Sequence, residues 1–154
     1  MNNNLMNFEN PEFGAVRSIL IDGDPWFVAA DVCKALELEK TNRALSRLDD
    51  DEKGAHSVST PGGRQRMSII SESGLYSLIL GSRKPEARAF KRWITHEVIP
   101  SIRKHGAYMT DALLSRMDEH PELISEDIGK LRAENAKANA AWEALKKAEA
   151  ENAR

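Results

Sequence analysis

Residues 16–48 read VRSILIDGDPWFVAADVCKALELEKTNRALSRL, and part-way along them the apolar pattern changes from strand-like to helical. Residues 16–21 and 26–29 are short apolar runs around Asp22-Gly23-Asp24-Pro25, where Gly23 can supply the positive φ of a tight turn, so a β-hairpin is expected. Over residues 31–38, Val32, Ala35 and Leu36 fall at helical spacing. Thr41 is placed to cap a second short helix to Leu48, with Ala44, Leu45 and Leu48 on its apolar face. The same order then repeats. Residues 55–60 and 64–70 flank Pro61-Gly62-Gly63, a second hairpin signal, and Ser71 or Ser73 caps a helix carrying Leu75, Leu78 and Ile79 as far as Gly81. With one more helix after Gly81 the order is β, β, α, α, β, β, α, α. That predicts an α+β domain of two hairpins with packed helices over residues 13–108, behind a polar extension at 1–12.

The last of these helices is the most charged part of the chain. Residues 82–106, SRKPEARAFKRWITHEVIPSIRKHG, place Pro85 in a tolerated first-turn position, Glu86 near the positive end, and Arg103, Lys104 and His105 at the negative end before Gly106. Steps of four put Lys84, Arg88, Arg92 and His96 along one side with Lys91 beside them. Phe90, Ile94, Val98 and Ile102 form an opposing apolar row, so a core face and a cationic face are expected. Pro100 cannot donate to the carbonyl of His96 and crowds it, which predicts a kink.

Beyond residue 108 the composition shifts. Residues 109–124 read as a helical linker interrupted at Pro121, and residues 125–154 are rich in Ala, Glu, Lys and Asn. Ile124, Ile128, Leu131, Asn135, Ala138, Trp142, Leu145, Glu149 and Asn152 alternate at spacings of four and three, the seam of a coiled coil. A buried Asn135 would set register and oligomer number. The chain stops within this pattern, as a fragment or a short member of its family would.

With 154 residues and 41% hydrophobic content the chain can bury one modest core. It has no apolar run long enough to span a bilayer, and its polar start lacks the order of a signal peptide, so a cytoplasmic protein is expected. Cys33 is the sole cysteine, which excludes an intrachain disulfide and a thiolate-rich zinc site. The net charge of -2 is unevenly spread: seven cations face two acids over residues 82–105, a local excess of five.

Several motifs carry both a chemical and a plain reading. Lys84, Lys91, Arg88, Arg92 and Arg103 can pair with phosphates or form a solvated helix face. Arg64, Gln65 and Arg66 can extend that surface, since a two-stranded ribbon enters a major groove and Gln65 can present a bidentate edge to adenine; an ordinary polar hairpin tip is the other reading. Asn42, Arg43 and Arg47 on the second short helix resemble a helix-turn-helix reader only weakly. Asp49, Asp50, Asp51 and Glu52 are hard-ion ligand types, but their spacing is wrong for a calcium loop and a solvated turn is favoured. His96-Glu97-Val98-Ile99-Pro100 opens like a zinc-protease motif, with Pro100 where the second histidine must stand. No phosphate loop or nucleophile elbow occurs, so neither catalytic residue, metal nor cofactor is expected, and the protein is expected not to be an enzyme. Trp26, Phe27, Tyr76, Phe90 and Trp93 suit a core better than a base-stacking platform.

The blocks Trp26 to Cys33, Asp51-Glu52-Lys53-Gly54, Thr60 to Gln65, Ile70 to Tyr76, Ser82 to Ala87, Phe90 to Trp93 and Pro100 to Lys104 occur in the order seen in the N-terminal domain of the BRO proteins of baculoviruses and of phage and prophage antirepressors, which this chain resembles. The resemblance implies a viral or prophage regulator, cytoplasmic in a bacterial host and oligomeric. Its partner would be double-stranded DNA, a phage repressor protein, or both. Relatives often carry a further domain after a helical linker. Arg88 and Arg92 are the principal expected phosphate contacts, supported by Lys84, Lys91 and Arg103, with Arg64, Gln65 and Arg66 near base edges. Ile128, Leu131, Asn135, Ala138, Trp142 and Leu145 would form a homo-oligomer. A repressor-capturing protein that never touches DNA is the alternative, and a metal-dependent nuclease using residues 49–52 a remote third.

Overall fold

Asp22 and Gly23 both take positive φ, 52° and 86°, the backbone that a two-residue hairpin demands of its central pair. The computed structural model, which describes residues 6–10 and 14–153, builds outward from that turn. Among the described residues five strands, β1 (Met6–Asn10), β2 (Gly14–Ile21), β3 (Asp24–Val28), β4 (Lys53–Thr60) and β5 (Gly63–Ser71), form one antiparallel sheet in the order β1-β2-β3-β5-β4. The two expected hairpins are β2–β3 and β4–β5, joined because β3 pairs with β5. Met6–Asn10 falls within the stretch read as a polar extension, and it forms β1 against β2. The rest of that extension, residues 1–5, 11 and 12, and the expected domain start at Phe13 lie outside the described residues.

Strand alternation gives the sheet two faces. Phe27 stands opposite Ile70, and both enter a core with Val32 and Cys33 of α1 (Ala29–Ala35), Leu36, Ala44 of α2 (Thr41–Leu45), Leu48 and Leu78 of α3 (Glu72–Gly81). The alternate residues Ile19, Val28, Val58 and Ile69 are buried on the other face. Cys33 is a packing residue, and burial pushes its thiol pKa up against a hydrogen bond with Thr41. Thr41 is the first residue of α2 rather than its cap, a position held by Lys40 without a side-chain bond. Ser71 does cap α3, accepting from Gly74 N at 3.1 Å. A Cβ on Gly74 would stand 2.9 Å from the carbonyl oxygen of Glu52, so this glycine lets α3 close on the 3₁₀ turn Asp50–Glu52.

The single kinked helix expected over residues 82–106 is three segments: α4 (Pro85–Trp93), a π-helical turn (Ile94–Val98) and α5 (Ile99–His105). The physical cause is Pro100. The wider turn closes with Ile99 N donating to Ile94 O and leaves Pro100 in the first turn of α5, where its missing N–H is not needed. Gly106 ends α5 at φ 77°.

The chain divides into two units, the second beginning at Ala107. That second unit holds α6 (Asp111–Glu119), capped by Thr110, a 3₁₀ turn at Pro121–Leu123 and the 29-residue α7 (Ile124–Asn152). Arg116 bonds Asp127 at 2.5 Å, tying α6 to α7. No helix among the described residues is long and apolar enough to cross a membrane.

Candidate nucleic-acid interface

Pro85 starts α4 with a pre-set φ, and the helix presents Arg88, Lys91 and Arg92 to solvent. None of the three belongs to an ion pair among the described residues. The expected row does not extend cleanly in either direction. Lys84 precedes the helix and sends its Nζ to the carbonyl of Ala35 at 2.9 Å, fastening the end of α1 to the start of α4. On the other side, the Thr95 hydroxyl donates to Lys91 O at 2.8 Å and His96 Nδ1 donates to Arg92 O at 3.0 Å, so side chains of the π turn fill carbonyls in the last turn of α4. Because a π turn holds more residues than an α turn, the rows beyond it are rotated, and Arg103 is not a continuation of the Arg88–Arg92 row.

The apolar row opposite is only partly a core face. Ala87 is buried, Phe90, Ile94 and Val98 are half-buried, while Trp93, Ile99 and Ile102 are 38%, 55% and 50% exposed. The aromatics divide in the same way. Phe27 is buried and Trp26 half-buried, but Tyr76 and Trp93, expected in the core, are exposed on either side of Phe90, with ring centroids 6.1 and 5.8 Å from it. The Tyr76 hydroxyl donates to Glu72 at 2.7 Å, and this bond together with burial pushes its pKa up to about 12.

At the tip of the β4–β5 hairpin, Arg64 and Arg66 stand opposite Ser59 and Ser57, whereas Gln65 stands opposite Val58. All three are exposed, but the strand's two-residue period puts the arginines on one face and Gln65 on the other. The acidic cluster is a structural turn: Asp49 and Glu52 cap each other reciprocally, with Asp49 N donating to Glu52 Oε1 at 3.0 Å.

One basic feature is absent from the sequence expectations as a site. The connection between α1 and α2, one side of α2, and the joint between α3 and α4 enclose an open cleft of about 650 Å³. Lys40, Arg43, Arg47, Arg83 and Lys84 line it, against two acids, Glu37 and Glu39. The joint is held from within: the buried Ser82 hydroxyl donates to Leu36 O and accepts from Lys84 N, both at 3.2 Å. Lys40, Arg43 and Arg47 were the only hint in the sequence, because Arg83 and Lys84 arrive from about forty residues further along the chain.

On α7 the seam residues Ile128, Leu131, Trp142 and Leu145 are exposed within the single chain, and Lys146 Nζ lies 5.5 Å from the Trp142 ring centroid. Asn135 and Ala138 are exposed on the same helix.

Comparison with known proteins places these features in context. Residues 15–100 match the N-terminal domain of the BRO family. An uncharacterized protein of Haemophilus influenzae is 40% identical over 89 residues, covering 56% of this chain and 43% of that protein. The protein 289L of Invertebrate iridescent virus 6, named for a Bro-N domain, is 34% identical over 110 residues, covering 59% of this chain and 26% of the relative. The Bro-N domain-containing protein L2 of Acanthamoeba polyphaga mimivirus is 29% identical over 122 residues, covering 70% and 50%. The chain thus spans half or less of the length of these relatives. No solved structure matches it.

Proposed function

Proceeding from the fact that this chain belongs to the BRO family, whose N-terminal domain it carries over residues 15–100, we propose that it is a non-enzymatic transcription regulator of the phage or prophage antirepressor type that binds double-stranded DNA through the outer side of α4. The observation that carries this reading is the set Arg88, Lys91 and Arg92, three exposed cations on one short helix with no carboxylate partner among the described residues. Unpaired cations on a rigid helix suit phosphate oxygens, whose neutralisation releases counterions and draws affinity from the salt gradient. The hairpin tip adds a second contact able to reach base edges, through Arg64 and Arg66 on one face or through Gln65 on the other. Lys84 and Arg103 contribute charge to the surroundings rather than to the α4 row. A second copy joined along Ile128, Leu131, Asn135, Ala138, Trp142 and Leu145 would double the number of phosphate contacts.

The test is fluorescence anisotropy of a random duplex titrated with the full chain across a salt series. Binding that falls steeply with salt and is lost on R88E with R92E supports the reading; no binding at low salt removes it.

One observation favours a protein partner as the second reading. Trp93, Ile99 and Ile102 are exposed large apolar side chains on α4 and α5, and Tyr76 and Leu80 are exposed on α3. Exposed apolar side chains of this size suit contact with a protein surface such as a repressor's. Co-purification with a repressor that persists at high salt would favour it over DNA.

A further inference from the structure

The cleft bounded by the α1–α2 connection, α2 and the α3–α4 joint uses none of the cations assigned to DNA on α4. Five positive side chains meet there around about 650 Å³, within the range of small-molecule sites. Lys84 is already engaged by the Ala35 carbonyl, and Lys40 is an ammonium, a point charge without the paired donors of a guanidinium fork. That leaves Arg43, Arg47 and Arg83 as guanidinium groups facing one concavity with no ion-pair partner among the described residues.

Like charges gathered in this way repel one another, and the fold holds them together regardless. The buried Ser82 hydroxyl and the Lys84–Ala35 bond hold the backbone on either side of Arg83, and the core residues Ala44 and Leu48 hold the segment that carries Arg43 and Arg47, so the arginines cannot disperse by moving the backbone on which they stand. Guanidinium forks match the oxygens of a phosphate in pairs, and Leu38 and Pro85 supply an apolar wall beside them.

We propose that this cleft is a binding site for a phosphorylated ligand of nucleotide size, with its phosphate on Arg43, Arg47 and Arg83 and its less polar part against Leu38 and Pro85. The shared chemistry is a nucleotide phosphate. It can come from a free nucleotide or from one unit of a nucleic-acid strand.

The experiment uses the full chain and two probes: dATP by isothermal titration calorimetry, and a 12-base-pair duplex by anisotropy. Each is measured for the unaltered protein, for R43E with R47E, and for R88E with R92E. If dATP binds, and the cleft reversal weakens it at least tenfold while the α4 reversal changes it less than twofold, the site takes a free nucleotide. If dATP does not bind but the cleft reversal weakens duplex binding at least tenfold, the phosphate comes from a strand. Duplex and dATP binding both indifferent to the cleft reversal would overturn the proposal, as would equal losses of dATP binding from both reversals, which would report only general charge attraction. The α4 reversal tested on the duplex alone judges the DNA-binding reading, so the two can fail separately. Should the double variant unfold, R83Q, at an exposed position, is read by the same criteria.

Discussion

Arg17 and Asp31 form a two-pronged ion pair, Nε to Oδ2 at 2.8 Å and Nη2 to Oδ1 at 2.9 Å, and Arg17 N adds a third bond to Oδ2 at 3.0 Å. Strand β2 is thereby fastened to the first turn of α1, where Asp31 also faces the positive helix end.

This pair makes stability depend on acid. Burial by itself would raise the pKa of Asp31, but the bonds from Arg17 outweigh it and hold the carboxyl below the usual range. A carboxyl with a depressed folded-state pKa contributes its full stabilisation above the unfolded value of about 4 and loses it as pH falls through the folded value. Asp31→Asn is expected to cost about 1–2 kcal/mol at pH 7, with its deficit relative to the unaltered protein shrinking below pH 4. Urea unfolding followed by tryptophan fluorescence at pH 7 and pH 3 checks this; a deficit that does not change with pH would refute it.

Gly74 and Gly81 lie in the same helix but in different surroundings. A methyl group at Gly74 meets the Glu52 carbonyl, while at Gly81 it meets open space. Gly74→Ala should therefore destabilise the protein by about 1–3 kcal/mol, and Gly81→Ala should be neutral or stabilise it by up to about 1 kcal/mol. Thermal unfolding of the two variants side by side decides it.

Reversing Arg88 and Arg92 together is expected to weaken binding of any duplex more than tenfold at low salt and to lower the salt slope by about two. The loss should be the same for unrelated sequences, because phosphates carry no sequence information. A loss confined to one sequence would place these residues on bases instead.

At the hairpin tip, one strand face carries Arg64 and Arg66 and the other Gln65. A ribbon lying in a groove turns one face to the base edges. Either R64A with R66A or Q65A should then change sequence preference, and not both. Binding to a randomised duplex library, sequenced before and after selection, distinguishes them.

The exposed seam of α7 predicts association. Deleting residues 125–154, or placing Asp at both Leu131 and Trp142, is expected to lower the mass measured by light scattering while leaving the circular dichroism of the remaining domain intact. Equal masses for full and truncated chains would remove the seam from the account.

How far these features could be read in advance depends on how local their causes are. Asp22-Gly23 specified a hairpin because positive φ is a property of two neighbouring residues, and Ser71 specified a helix start because a cap reaches only three residues. The α+β class and the long terminal helix followed from the same short-range periods. Strand β1 was missed because its residues, Asn-rich and charged, owe their extended form to pairing with β2 rather than to propensity. The π turn was anticipated only as a kink: Pro100 forbids an ordinary α bond, but the neighbouring turn decides how the helix gives way.

By itself, then, the sequence determined the two hairpins, the order of the helices around them, the family and the excess of positive charge over residues 82–105, all of which arise within windows of a few residues or from motifs in linear order. Only the tertiary structure decided that β3 pairs with β5, that Lys84 turns to the Ala35 carbonyl, and that Arg43, Arg47 and Arg83 share one cleft. Each of these joins residues or faces whose separation along the chain carries no local signal. They come together because burying Phe27, Ile70, Leu36 and Leu78 in one core leaves the connecting segments few other places to go.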